Sequence, residues 1–139
     1  MDTLTALDGT RWFGSAELWL DPHGNEAQLS KCAIAVDGET VSYTWTYEGT
    51  PQSGRIVLGA DDAQFSDTWH QPEPMACRRL PGAPGLFQVQ GAYGPDGDWG
   101  WRIGLFQRPT SNELVLQMTN VTSWGEEARA VRMVCKLDE

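Results

Sequence analysis

A chain of 139 residues, 40% of them hydrophobic, fits one domain (residues 1–139) with enough apolar content for a real core. Its formal net charge of −9 repels phosphate backbones and anionic lipid, which argues against nucleic-acid and membrane partners. Cys32, Cys77 and Cys135 show no Cys-x-x-Cys spacing, no apolar run reaches transmembrane length, and the start lacks the make-up of a secretory signal; the expectation is a cytoplasmic protein with reduced thiols.

Residues 2–7 suit a short turn, and a first strand is predicted over residues 11–20. Asp21-Pro22-His23-Gly24-Asn25 then breaks the chain with loop chemistry. A second strand spans residues 28–36, and Asp37-Gly38 supplies a hairpin pair. Residues 41–47 follow as Val-Ser-Tyr-Thr-Trp-Thr-Tyr, a period-two alternation that marks a half-buried strand. After Glu48-Gly49-Thr50-Pro51 come strands over residues 55–58 and 63–70. Residues 71–85 interrupt the rhythm with prolines at 72, 74, 81 and 84, and read as a long loop or a short edge strand. Further strands are predicted over residues 86–93, 99–108, 113–121 and 128–137, with Gly- and Pro-rich turns between them. Nine strands joined by short connections imply an all-β, antiparallel, up-and-down arrangement that closes on itself to remove its edges. A two-sheet sandwich is the competing architecture, and it needs longer crossovers than these turns provide.

Alternation assigns the inner faces. Val41, Tyr43, Trp45 and Tyr47 share one; Phe65, Asp67 and Trp69 another; then Trp99, Trp101, Ile103 and Leu105; Leu114, Leu116, Met118 and Asn120; and Val131, Met133, Cys135 and Leu137. Asp67 and Asn120 are the polar exceptions. A carboxylate among rings is costly unless hydrogen-bonded, and polar groups so placed orient a ligand or brace the wall. A bulge near residue 67 would exchange Asp67 for His70 on the inner face.

The chemistry of sites is sparse. There is no Gly-x-Ser-x-Gly elbow, and two histidines leave little for a catalytic triad. No His-x-His or Glu-x-x-His spacing occurs, so no metal site is expected. General acid–base work by Asp67 or His70, with Tyr43, Tyr47 and Asn120 as hydrogen-bond donors, is the most credible enzymatic route. A single axial histidine can hold haem, and His70, with Met75 nearby, is the candidate for one.

Arg11-Trp12-Phe13-Gly14, the segment from Tyr43 to Gly49, Ser66-Asp67-Thr68-Trp69-His70, Trp99-Gly100-Trp101-Arg102-Ile103 and Met118-Thr119-Asn120-Val121 together resemble an uncharacterised bacterial family of calycin-like barrels, relatives of lipocalins and fatty-acid-binding proteins. The likeness spans nearly the whole chain. It implies a barrel of eight to ten strands with an internal cavity, and no particular activity, because the wider group includes ligand carriers, haem-binding barrels and a few enzymes. The expected function is binding of a small hydrophobic or aromatic molecule. Tyr43, Trp45, Tyr47, Trp69, Trp101 and Met118 would wall the cavity, Asp67 and Asn120 would orient the ligand, and residues 71–85 would cover the entrance. The alternatives are a barrel enzyme using Asp67 or His70 in an isomerisation, cyclisation or dehydration, haem binding through His70, or a filled barrel acting through its outer surface as a homodimer.

Overall fold

The computed structural model describes residues 4–21 and 23–138; residues 2 and 3 of the expected turn and Pro22 of the first loop lie outside them. Ten strands follow one another: β1 (Arg11–Trp19), β2 (Ala27–Asp37), β3 (Thr40–Tyr47), β4 (Thr50–Leu58), β5 (Asp62–Asp67), β6 (Met75–Arg79), β7 (Phe87–Tyr93), β8 (Trp99–Gln107), β9 (Glu113–Val121) and β10 (Glu127–Leu137). Each pairs antiparallel with the next, and β10 pairs with β1, so the sheet is a single closed up-and-down barrel. Closure follows from the amphipathic strands. A sheet with one apolar face and short turns buries that face and pairs its edges by curling into a barrel.

The alternating positions behave as the pattern predicts over most of the wall. Val41, Tyr43 and Trp45 of β3, Phe65 and Asp67 of β5, Ile103 and Leu105 of β8, Leu114, Leu116, Met118 and Asn120 of β9 and Val131, Met133 and Cys135 of β10 are all buried. Trp12, Ile34, Ile56 and Val89 join the apolar members of this set in one contiguous cluster. A bulge between Arg129 and Val131 turns Ala130 inward as well.

The two ends of the barrel differ. Where β1 begins, a 3-10 turn (Thr5–Leu7) lays Leu4 and Leu7 into the cluster. It is tied down by Thr10, whose N–H and hydroxyl both donate to the Leu7 carbonyl and whose hydroxyl oxygen accepts from the Trp12 indole. That end is plugged. The opposite end carries the turns 20–26, 48–49, 68–74, 94–98 and 122–126, and there the wall opens.

Four features differ from the sequence reading. β4 begins at Thr50, inside the expected break over residues 48–51 and ahead of the expected start at Arg55, because residues 50–53 pair only with β3; a proline is tolerated where the ladder is one-sided. β5 stops at Asp67, so Trp69 is not a strand residue: it is 40% exposed and folds against Trp45 and Tyr47, with ring centres 5.6 and 4.7 Å away. Residues 71–85 contain β6, which is no edge strand but a stave between β5 and β7 with Met75 and Cys77 inward. The segment therefore crosses from the open end to the plugged end, and only its first residues lie near the entrance. Trp99, expected inside, is half-buried at the rim between Tyr93 and Trp124, at ring distances of 6.1 and 5.6 Å.

All three cysteines are free and buried. Gly14 of β1 is in register with both Cys135 and Cys32, and a side chain there would run into the backbone of Val134 and Cys135. Across this gap the two sulfurs lie 3.4 Å apart.

Candidate functional site

The site is organised by one carboxylate. Asp67 is the last residue of β5, and its chain reverses immediately: the Asp67 N–H donates to the Gln71 carbonyl at 2.8 Å. Oδ1 of Asp67 accepts the N–H groups of Trp69 (3.1 Å), His70 and Gln71 (2.9 Å), which is the side-chain-to-backbone capture that makes aspartate a turn residue. Oδ2 accepts the Tyr43 hydroxyl at 2.5 Å and contacts His70 Nδ1 at 3.0 Å. Five donors thus surround a carboxylate whose side chain is 1% exposed.

Tyr43 reaches Asp67 from two strands away because of Gly54. That residue of β4 is in register with Tyr43 on one side and Asp67 on the other. A Cβ on Gly54 would overlap the Tyr43 hydroxyl and the Asp67 side chain, so glycine leaves the inner surface open for the bond.

Charge follows geometry. Burial by itself raises the Asp67 pKa, but the bonds from His70, Tyr43 and the Gln71 amide outweigh it and hold the carboxyl below the usual aspartate range. Burial, then the neighbouring Asp67 charge, pushes the Tyr43 hydroxyl well above its ordinary value. Tyr43 is therefore a fixed donor. With Asp67 ionised and accepting, His70 Nδ1 carries a proton toward it, and Nε2 is the ring nitrogen not engaged by the carboxylate. Nε2 has no hydrogen-bond partner among the described residues, and the side chain is 18% exposed.

His70 faces a cleft of about 180 Å³ at the open end, lined by Phe65, His70, Gln71, Met75, Tyr93 and Trp101. Phe65 and Trp101 lie nearly parallel, 17° apart with ring centres separated by 6.2 Å, and His70 leans on Trp101 at 4.9 Å. Gly91 of β7, in register with Cys77 and Trp101, gives Met75 its place: a Cβ there would overlap the Met75 sulfur. The cleft adjoins a thin part of the wall, since β6 and β7 pair only from Cys77↔Gly91 to Arg79↔Val89 and leave Met75 and Tyr93 unpaired across the gap.

Of the residues expected at the site, Trp101 and His70 line the cleft directly. Asp67 stands behind His70, and Tyr43 behind Asp67. Asn120 stands behind Tyr93, accepting its hydroxyl proton. Trp45, Tyr47 and Trp69 form an adjoining aromatic group, while Met118 belongs to the fully buried core. Phe65, Gln71 and Tyr93 are cleft residues that the sequence reading did not name at the site, and Met75 entered it only as a neighbour of His70. Tyr93 was within reach, because Phe87, Val89, Gly91 and Tyr93 alternate on the inner face of β7. Gln71 and Met75 had no such signal, since a tight turn and a short stave carry no period.

Compared with known protein families, the chain matches no family model, and comparison with curated proteins finds no relative. The closed ten-stranded barrel is consistent with the calycin-like architecture that its motifs imply. No helix among the described residues is long and apolar enough to cross a membrane, and no group of three or more His, Cys, Asp or Glu residues among them suits a metal ion.

Proposed function

We propose that the protein is a calycin-like barrel that binds a small hydrophobic or aromatic molecule in the cleft at its open end. The observation that carries this reading is the cleft itself: aromatic rings and a thioether around one imidazole nitrogen that has no partner among the described residues. Apolar walls with one or two fixed polar groups are what small-molecule sites have in common. The volume favours a single ring, since about 150 Å³ of apolar cavity is enough to hold benzene. Haem, for which His70 and Met75 offer the right atoms, is several times larger than one ring and would need the cleft to widen.

A second reading rests on the Tyr43–Asp67–His70 chain of hydrogen bonds. An imidazole oriented through Nδ1 by a buried carboxylate, with Nε2 open to a pocket, is the arrangement of a general base. Asp67 has both oxygens occupied, so in this reading His70 transfers the proton and Asp67 positions it.

The test is an NMR titration with p-xylene and p-cresol, following the Met75 methyl and the Trp101 indole N–H. Binding in the cleft shifts both signals, and Met75→Trp, which fills the space, abolishes the shift of the Trp101 indole. Signals that do not move, or a Trp101 indole that moves equally in Met75→Trp, would remove the reading.

A further inference from the structure

We infer that the cleft selects a neutral ring bearing a hydroxyl, a phenol-class ligand whose O–H donates to His70 Nε2. The inference rests on the proposed binding site and names what that site recognises.

Three observations lead to it. The first is the direction of the hydrogen bonds. Asp67 Oδ1 is filled by three backbone amides and Oδ2 by Tyr43, so the carboxylate accepts at every position and His70 must present Nδ1–H to it. In the neutral imidazole, the nitrogen that remains is an acceptor, Nε2. An apolar ligand leaves that acceptor dry, an ether places oxygen lone pairs against it, and a hydroxyl answers it.

The second is the wall beside it. Trp101 is 7% exposed and its indole N–H is buried with no hydrogen-bond partner among the described residues. A buried donor without a partner is an uncommon expense in a native fold. The ring centres of His70 and Trp101 are 4.9 Å apart, so a ring whose Nε2 has no partner among the described residues packs against one whose indole N–H has none. A hydroxyl is able to donate to a neutral Nε2 and to accept from an indole N–H that turns toward it.

The third is charge. A carboxylate-bearing ligand would bring its negative charge to a lone pair backed by the ionised Asp67, in a protein of net charge −9. Phe65 and Trp101, close to parallel, complete the preference by favouring a flat ring beside them.

The experiment compares four probes of matched shape, p-cresol, 4-methylanisole, p-xylene and p-toluate, by calorimetric titration of the full chain. p-Cresol should bind about tenfold more tightly than 4-methylanisole or p-xylene, the effect of one answered hydrogen bond in a dry site. p-Toluate should bind weakest. In His70→Phe, which keeps a ring against Trp101, the p-cresol advantage should fall to less than about threefold. Since that variant also loses a contact to buried Asp67, the wild-type comparison of p-cresol with its methyl ether stands without it. Equal binding of p-cresol, 4-methylanisole and p-xylene would overturn the hydroxyl inference and leave the cleft as an apolar site. A preference for p-toluate would mean that Nε2 donates, and would overturn it too. No binding of any probe would overturn both the inference and the site.

Discussion

Asp67 is buried to 1% side-chain exposure yet ionised, and the five donors around it explain how. A charged group in an apolar interior survives only when its lone pairs are answered. Tyr43→Phe removes one donor from the carboxylate and should destabilise the fold by about 2 kcal/mol, the usual worth of a hydrogen bond to a charged group. Gly54→Ala should cost a similar amount, about 1–3 kcal/mol, by forcing the same two side chains apart. Because both act on one contact, a double-mutant cycle in urea should give a combined loss smaller than the sum. Strict additivity would mean that Gly54 is not there to make room for this bond. The carboxyl also sets an acid limit. Its folded pKa lies below the ordinary aspartate value of 3.8, so its contribution is complete above that value and disappears as pH falls through the folded one. The stability gap between the wild type and Asp67→Asn should therefore narrow as pH falls below about 3.8. A gap that persists to pH 2 would mean the carboxylate contributes nothing as an anion.

Among the elements, β6 is the weak stave. It is five residues long, and its ladder with β7 has three registered pairs, whereas β7 and β8 share seven. Short ladders open first, since fewer bonds and contacts must break together. Amide hydrogen exchange should be faster across residues 75–79 than across β8 or β9, by about tenfold or more. Protection of β6 equal to that of β8 would contradict the thin-wall picture of the cleft. The same element shows the limit of pattern reading. Met75 and Cys77 alternate with Ala76 and Arg78, but two inward residues are too few to establish a period, and four prolines nearby argue for a loop. β3 is the opposite case: seven residues alternate without a break, and the structure buries Val41, Tyr43 and Trp45 as the pattern requires.

At the scale of the whole molecule, the barrel has a plugged end and an open one. Leu4 and Leu7 close the former, and Leu7→Ala should cost about 2–5 kcal/mol, as for a large-to-small change in a core, while leaving p-cresol affinity at the opposite end unchanged. A parallel loss of affinity measured by calorimetry would show that the two ends are coupled. The amino-acid sequence by itself determined the strand-rich class, the closed antiparallel barrel and the inward placement of Asp67 and Asn120, because alternation and turn chemistry are local and repeat many times. Only the tertiary structure decided the site. The choice between Asp67 and His70 dissolved once β5 was seen to end at Asp67, whose own carboxylate turns the chain back and brings His70 over the opening. Gly54 and Gly91 shaped the inner wall by what they lack, and a missing side chain acquires meaning only when its neighbours across the sheet are known. Closure of a barrel sets registers between strands far apart in the chain, and registers of that kind leave no mark in any single stretch of sequence.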